Sequence, residues 1–244
     1  MAYLLKYGDY EFPTTMRPAS GEAPVDIAEQ ERPRGDGSIT QVGRQKSRSL
    51  SVKGEIAGDT PDDLQATYAA MRAACAPGRL VRLYHGRDDQ YVMAQAEGWT
   101  EDHQDGLLYG TVTSIAITFR APDPAWCAAA SSSPDLDPAG GTISYDGAPC
   151  APTWSITVDT GGAGWIRLAN TLTGETATLT GTFADGDVID IDRAAYTVAI
   201  NGVADFGLMG GRIPSLAAGD NDIALTTHIV SVSSLTCAYT PRQY

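Results

Sequence analysis

The sequence lacks long apolar segments. No hydrophobic run approaches the roughly 20 residues that a membrane-spanning helix needs. Residues 1–9, MAYLLKYGD, are too short and too polar for a secretory signal peptide. We therefore expect no membrane insertion and a protein that stays in the compartment where it is made.

Basic residues are also scarce. The 244-residue chain has 17 Lys and Arg against 30 Asp and Glu, which gives a net charge of −13. Residues 1–56 hold eight basic and eight acidic groups, residues 57–140 hold five and twelve, and residues 141–244 hold four and ten. No region forms a basic patch that would attract nucleic-acid phosphates. DNA that meets this protein is expected to pass it without binding.

The motifs of common catalytic and metal sites are missing. The three histidines, His85, His103 and His228, are far apart, and no H-x-H or H-E-x-x-H spacing supports a zinc site. There is no G-x-S-x-G nucleophile turn and no glycine-rich phosphate-binding loop. We therefore predict no catalytic residue, no metal and no cofactor, in a protein that is not an enzyme.

The cysteines form no C-x-x-C pair; they are Cys75, Cys127, Cys150 and Cys237. Three of them lie at apolar or strand positions, so the favoured interpretation is small buried thiols in a reducing compartment. A Cys127–Cys150 disulfide is the alternative.

Two groups of carboxylates are candidate sites that we interpret as surface features. The four aspartates of residues 185–192 have a spacing that could hold calcium, but they fall in a predicted turn and on the solvent face of a strand. Glu97, Glu101 and Asp102 could supply the carboxylate pair of a glycoside hydrolase, but the sequence gives no further sign of a cleft.

A strand–helix–strand unit organises the first half of the chain, over residues 49–84. Apolar residues alternate from Leu50 to Ile56, as in a half-buried strand. Thr60 and Pro61 are typical of a helix start. One apolar stripe follows at spacings of four, three and four, at Leu64, Tyr68, Met71 and Cys75. An amphipathic helix of this kind must cover a sheet, which neighbouring strands should supply.

This unit belongs to a predicted N-terminal β domain, residues 1–126, built as a sheet or barrel with one helix. Its last strand is stopped by Pro122 and Pro124. Residues 19–43 are polar and charged, which favours either a disordered loop or an arm that becomes ordered against a partner. Only Val25 and Ile27 indicate a short strand within them.

A change of composition divides the chain. Residues 127–149 are rich in Ala, Ser, Pro and Gly, which is typical of a linker. Residues 150–240 contain seven or eight short strands at close turn spacing and no helix, which predicts a β-sandwich. The sequence leaves open whether residues 241–244 rejoin the first domain.

The alternating positions give a predicted core. In the first domain it consists of Leu50, Val52, Ile56, Leu64, Tyr68, Met71, Val81, Leu83, Ile115, Ile117 and Phe119. In the second it consists of Ile156, Val158, Leu179, Ile189, Ile191, Val198 and Ile223.

Two tryptophans of the second domain could stack on a sugar ring. Trp154 alternates with Ile156 and Val158, so core packing is the favoured interpretation. Trp165 follows a glycine-rich turn and is the candidate sugar contact.

Several motifs follow one another in a fixed order. The first half has a strand over 50–56 with Gly54, a helix over 61–75 ending at Pro77-Gly78, and a strand over 115–119 closing on 122–126 (PDPAW). The second half has 170–175 (NTLTGE), 186–192 (GDVIDID), 214–216 (PSL) and 219–221 (GDN). In this order and spacing they resemble the distal tail proteins of siphophages and related tail-like particles.

The resemblance implies a structural role and a galectin-like fold for the sandwich. Such proteins form a homohexameric ring through N-terminal domains that surround a channel for DNA, and the ring joins the tail tube to the tail tip or baseplate. The implied partners are further copies of this chain, the tail tube protein, the tail-tip or hub protein of the baseplate and the tape-measure protein. The implied location is the virion tail tip, after synthesis in the bacterial host cytoplasm.

On this hypothesis the polar segment supplies subunit contacts. The predicted interface residues are Val25, Ile27, Arg34, Arg44, Lys46 and Arg48. The particle could be a phage, a prophage remnant or a gene transfer agent. Two alternatives stay open: a carbohydrate-binding protein whose sandwich is the active module, and a hydrolase with an unrecognised site. The missing signal peptide disfavours a secreted sugar binder.

Overall fold

The computed structural model describes residues 4–22, 25–26, 29–31, 38–40, 44–102, 112–205 and 207–244. The chain divides into two compact units, Met1–Trp126 and Cys127–Tyr244. Each unit has a hydrophobic core of its own.

The first unit combines strands with one helix. In chain order they are β1 Leu5–Tyr7, β2 Tyr10–Glu11, β3 Arg17–Glu22, β4 Val25–Asp26, β5 Glu29–Glu31, β6 Ser38–Thr40, β7 Arg44–Gln45, β8 Arg48–Ala57, α1 Pro61–Ala74, β9 Val81–His85, β10 Gln90–Asp102 and β11 Val112–Ala121. The main sheet is open and antiparallel, in the order β2-β1-β9-β10-β11-β8-β3. The prediction of a mainly β domain with one helix is confirmed, and its form is a sheet and not a closed barrel.

The core of the first unit lies between this sheet and α1. Strand β8 pairs with β11 from Arg48 to Ala57, and its alternate residues point into the core. Helix α1 buries Leu64 and Met71 against the same face. All the core positions predicted for this unit are buried except Tyr68 and Val81, which are half-buried and pack against the core.

The start of α1 is fixed by a reciprocal pair of hydrogen bonds. The Thr60 hydroxyl accepts from the Asp63 amide at 3.2 Å, and the Asp63 carboxylate accepts from the Thr60 amide at 3.1 Å. This capping box satisfies two amides that have no partner inside the helix, and the acid also faces the positive end of the helix dipole. The predicted helix start is confirmed.

Gly54 is required by a close approach of two backbones. A Cβ atom at this position would lie 2.6 Å from both the Met16 Cα and the Thr15 carbonyl oxygen. Because these neighbours are backbone atoms, they cannot rotate away as a side chain could. The glycine therefore lets the segment before β3 cross over β8 and bury Met16 completely.

In the part of the second unit that the structure describes, the secondary-structure elements are strands. Strand β12, Trp126–Ala128, contains the boundary between the units. The others are β13 Asp135–Leu136, β14 Gly140–Tyr145, β15 Thr153–Thr160, β16 Gly162–Asn170, β17 Glu175–Phe183, β18 Val188–Asp192, β19 Thr197–Ile200, β20 Val203–Ala204, β21 Met209–Gly211, β22 Gly219–His228, β23 Ser231–Ala238 and β24 Arg242–Gln243.

Two antiparallel sheets of this unit share one core. Their strand orders are β13-β23-β15-β18-β19-β20 and β14-β22-β16-β17-β21. Every core position predicted for this half is buried in the shared cluster. Trp154 is completely buried, and its indole N–H donates to the Pro214 carbonyl at 3.0 Å. The predicted β-sandwich and the core role of Trp154 are both confirmed.

Residues 127–149 differ from the linker that their composition predicts. They contain β13, which pairs with β23, and β14, which pairs with β22. Strand β14 begins with two glycines and has only Ile143 and Tyr145 as inward apolar residues, so its alternation is too short to be recognised in the sequence. The segment that contains the 214–216 motif forms no strand, and one isolated bridge joins Leu216 to Cys150.

The last residues of the chain pack within the second unit. The Ala148 amide donates to the Arg242 carbonyl at 2.7 Å, and the Ala128 amide donates to the Pro241 carbonyl at 2.8 Å. The Tyr145 hydroxyl accepts from the Arg242 amide at 3.0 Å. These bonds give residues 241–242 fixed partners near both ends of the 127–149 segment.

Replacing Leu64 by Ala should lower the free energy of unfolding of the first unit by about 2–5 kcal/mol, because it leaves a cavity under α1. Urea denaturation followed by circular dichroism measures the change. Leu80→Ala is the matched control, since the Leu80 side chain is 49% exposed and should cost less than about 0.5 kcal/mol. Equal effects of the two substitutions would contradict the packing of α1 on the sheet.

Candidate functional site

An antiparallel arm leaves the main sheet of the first unit; we define it as residues 17–53. Strand β3 pairs with β8 from Arg17 opposite Lys53 to Glu22 opposite Ser49. Further along, β4 pairs with β7, and β5 pairs with β6. The three pairs are nested in the sequence, as successive steps of one long hairpin.

The outer part of the arm is a ribbon of only two strands. Strands β4 and β7 form a two-stranded sheet, and so do β5 and β6; the described residues give neither pair a third strand. Each strand there has one edge whose backbone groups have no partner strand. A two-stranded ribbon is marginally stable in water by itself, because it buries little apolar surface.

The predicted interface residues of the outer arm are placed only by their backbone. Val25 lies in β4 opposite Gln45, and Arg44 lies in β7 opposite Asp26. Ile27 and Arg34 lie outside the described residues. Lys46 and Arg48 are at the base of the arm, where side chains are described.

Lys46 is exposed at the mouth of a shallow groove. The groove is lined by Lys46, Ser47, Gln95, Arg120 and Pro122. The Arg120 guanidinium donates to the Ser47 hydroxyl at 3.0 Å and lies 3.2 Å from the Glu97 carboxylate. Glu97 is therefore paired with a cation, and Glu101 accepts from the indole N–H of Trp99 at 2.8 Å.

Arg48 contacts residues at the C-terminal end of the first unit. Its Nε donates to the Pro124 carbonyl at 2.9 Å, and its guanidinium lies 5.3 Å from the centroid of the Trp126 ring. The His85 ring also stacks on Trp126, at 6.3 Å and 29°. The Nε2 of His85 is 3.0 Å from the Ser51 carbonyl. These contacts fasten the first residues of β8, and with them the base of the arm.

The ionisable side chains of His85 and Arg48 are partly buried. Burial lowers the pKa of His85, the bond to the Ser51 carbonyl opposes this shift, and the positive charge of Arg48 adds to it. Burial also lowers the pKa of the Arg48 guanidinium. The folded state therefore favours the neutral form of His85.

In the second unit, two of the motifs that carry the family resemblance meet around a pair of buried asparagines. Asn170 and Asn221 are 1% and 0% exposed, and the Asn170 amide donates to the Asn221 side-chain oxygen at 2.9 Å. Asn170 also donates to the Ser215 carbonyl at 2.7 Å. The Asn221 amide reaches the carbonyls of Ala217 and Gly219 at 2.8 and 3.0 Å. The pair therefore fastens residues 214–221 to β16.

Glu175 completes this region with a second network. Its carboxylate accepts from the amide and the hydroxyl of Ser215 at 2.7 and 2.6 Å. It also lies 2.9 Å from Arg193 and 3.3 Å from Arg212, while its side chain is only 11% exposed. Burial alone would raise the pKa of Glu175, but the bonds from Ser215 and the two arginines outweigh burial and lower it.

The four aspartates of residues 185–192 have local structural roles. Asp185 accepts from the Gly161 amide, and Asp187 accepts from the Ala184 amide. Asp190 accepts from a serine hydroxyl, and Asp192 accepts from two turn amides. Within the described ranges, no group of three or more His, Cys, Asp or Glu side chains is arranged to hold a metal ion.

None of the four cysteines forms a disulfide, so the alternative Cys127–Cys150 bridge is absent. Cys75, Cys150 and Cys237 are buried, whereas Cys127 is half-buried. Burial raises the pKa of Cys75 to about 12 and also raises the pKa of Cys237. Since the thiolate is the reactive form, these residues are structural thiols.

Trp165 lies on the outer face of the sheet that contains β16, and it is half-buried. The register places it opposite His228 on β22, and the two rings stack at 5.9 Å and 8°. The guanidinium of Arg167 lies 5.0 Å from the centroid of the indole. Sequence analysis overlooked both neighbours. The i, i+2 spacing within one strand could have revealed Arg167, but only the strand register brings in His228.

Among the residues that the structure covers, no helix has the length and apolar character needed to cross a bilayer.

Comparison with known proteins gives matches to phage tail components. Residues 147–242 match the family model of the siphovirus-type tail component, C-terminal domain. Among solved structures, the Dit protein of phage SPP1, described as a hub of the adsorption apparatus of phages that infect Gram-positive bacteria, is 15% identical. The match covers 100% of both chains, with a TM-score of 0.80.

A second solved structure is a component of the phage P2 baseplate in its activated conformation with Ca. It is 10% identical to this chain. The match covers 94% of this chain and 91% of the baseplate chain, with a TM-score of 0.53. No curated protein matches the sequence. The resemblance to the distal tail proteins is confirmed, and these matches are to structural components and not to enzymes.

The first unit should lose stability as the pH falls below 6.5, the ordinary pKa of histidine. Because the folded pKa of His85 is depressed, the stabilisation is complete above the unfolded pKa and is lost as the pH falls from there towards the folded pKa. His85→Gln should flatten this part of the stability profile, measured by urea denaturation from about pH 8 to about pH 5. The matched control is His228→Gln in the second unit; an unchanged slope in His85→Gln would contradict the argument.

Replacing Glu175 by Gln should destabilise the second unit by about 1–3 kcal/mol at neutral pH, because two arginines lose their partner. The folded pKa of Glu175 lies below its ordinary value of 4.5, so the wild-type advantage is present above that pH and lost as the pH falls further. Thermal unfolding at neutral and acidic pH measures it. Asp220→Asn, at an exposed position, is the control and should change stability by less than about 0.5 kcal/mol.

Proposed function

We propose that this chain is a distal tail protein of a siphophage or a related tail-like particle. Its role is structural: the first unit forms a homohexameric ring that joins the tail tube to the tail tip or baseplate. The observation that carries this proposal is the similarity of fold to the SPP1 hub protein over the whole of both chains. The family match of residues 147–242 supports it independently, because it rests on sequence.

The two-stranded part of the arm supports self-assembly. Among the described residues, the pairs β4–β7 and β5–β6 have no third strand along either edge of the ribbon. Such edges are stabilised when another strand or surface covers them. In a ring, the neighbouring copy supplies this cover, so each subunit contributes an arm and receives one.

The distribution of charge along the arm suits contacts between copies of this chain. Residues 19–31 contain four acidic residues and no basic one, whereas residues 44–53 contain four basic residues and no acidic one. The two strands of one arm therefore differ in sign. The acidic strand of one copy can contact the basic strand of the next, and when such heterologous contacts repeat with a rotation that closes, they form a ring.

The remaining parts of the proposal follow from this ring. The tube protein, the tip or hub protein and the tape-measure protein are the partners, and the tail tip of the virion is the location after synthesis in the host cytoplasm. DNA passes through the channel without specific binding, in keeping with a net charge of −13. Val25, Ile27, Arg34, Arg44 and Lys46 remain proposed interface residues, and Arg48 is proposed to act at the interface by anchoring the base of the arm.

The mass of the purified chain in solution tests the ring, together with negative-stain images of the same fraction. We expect particles of about six times the 25.7 kDa of one chain, with a central hole. A chain that stays monomeric even when mixed with its tail tube protein would overturn the ring.

A shortened arm tests how the ring is held. Replacing residues 27–43 with Asn-Gly closes the hairpin directly after the Asp26–Arg44 pair with a favoured two-residue turn. We expect a folded monomer with unchanged thermal unfolding, because the cores are untouched. The matched control keeps the strands and Arg34 and replaces only residues 35–37 with Gly-Ser-Gly, and it should still form rings. Rings formed by the shortened variant would show that the arm is not the contact.

A further inference from the structure

The outer face of the sheet β14-β22-β16-β17-β21 carries one cluster of aromatic and basic side chains. Ile166 and Leu168 point into the core, so Trp165 and Arg167 point outward from β16. The register places Trp165 between His228 on β22 and Thr180 on β17. Arg167 lies in the same way between Thr226 and Thr178. A tryptophan is therefore surrounded on a flat face by imidazole, guanidinium and hydroxyl groups.

The indole is held in a fixed orientation by its neighbours. The His228 ring is parallel to it within 8°, and the Arg167 guanidinium lies over it at 5.0 Å. Aromatic stacking and cation–π contact restrict the rotamers of all three side chains before any ligand arrives. Less conformational freedom is then lost on binding, which favours affinity.

The turn after His228 adds strain and an exposed apolar side chain. Ile229 has φ 72°, a left-handed conformation that β-branched residues rarely adopt, and its side chain is 66% exposed. A Cβ at Gly164 would lie 2.0 Å from the His228 carbonyl, so this turn passes directly over β16. Unfavourable features of this kind are concentrated at functional sites.

Aspartate–hydroxyl pairs occur on the outer faces of both sheets of this unit. Asp135, Asp159 and Asp190 are each bonded to a serine or threonine hydroxyl on one sheet, and Asp222 accepts from the Thr142 hydroxyl on the sheet that carries Trp165. The cluster around Trp165 differs from these pairs because it combines an indole, an imidazole and a guanidinium group.

We propose that the Trp165 face binds a saccharide. The C–H groups of a pyranose ring are attracted to the part of the half-buried indole surface that Arg167 and His228 leave uncovered, and the sugar hydroxyls need donors and acceptors around that ring. Arg167 and His228 supply donors, while Thr178, Thr180 and Thr226 supply both kinds of group. A nucleic acid is disfavoured because its phosphates meet a chain of net charge −13. This goes beyond a role in ring assembly and does not depend on it.

Saturation-transfer NMR on the full chain tests the proposal. The probes are galactose, glucose, N-acetylglucosamine and rhamnose, together with oligosaccharides released from bacterial cell-wall polysaccharide. We expect transfer to at least one probe. Trp165→Ala should weaken it by about tenfold or more, whereas Trp165→Phe keeps a ring and should retain most of it. The matched control is Tyr196→Ala, at another exposed aromatic residue of the same unit, which should bind like the wild type.

Two results would overturn the proposal: no transfer to any of these probes, or equal binding by wild type and Trp165→Ala. Should Trp165→Ala fail to fold, Arg167→Ala gives the same decision, because this exposed side chain can be removed without opening the core. We expect it to weaken binding by about threefold or more. Ring formation is measured separately, so a failure here is distinguishable from a failure of the assembly proposal.

Discussion

Strand β8 belongs to the core and to the arm at the same time. Its inward residues Leu50, Val52 and Ile56 are completely buried, so a slip of one residue would turn them all to solvent. The core therefore fixes the register of β8, and β8 fixes that of β3, which pairs with it from Arg17 to Glu22. Packing under the helix thus determines the position and direction of the first strands of the arm.

The second unit depends on polar groups in a comparable way. Asn170, Asn221 and Glu175 are almost out of water, and together they satisfy backbone groups of Ser215, Ala217 and Gly219. Removing one partner would leave buried donors and acceptors unpaired, which costs more than the bond itself contributed. This explains why the motifs that carry the family resemblance are Asn-, Ser- and Gly-containing turns.

The sequence was sufficient where burial alone decides the structure. The alternation around Leu50 and Ile156, the stripe along α1 and the Thr60 cap are local patterns, and the structure confirms them. Strand β14 was missed because only two of its residues face the core. The strands of the outer arm are only two or three residues long, which is too short to show an apolar period. The cluster at Trp165 needed His228, which is 63 positions away in the chain and becomes a neighbour only through the register of β22.

The first unit is proposed to form the ring and the second unit to bind a saccharide. The energetics of these two functions make them complementary. A saccharide on an open sheet face keeps much of its surface in water, so each site is expected to bind weakly. A weak site becomes effective when several copies are held together, because the second and later contacts are intramolecular and benefit from a high effective concentration. A ring of identical subunits provides this multiplicity without any change to the site. Assembly through the first unit would therefore supply the avidity that the flat face of the second unit lacks.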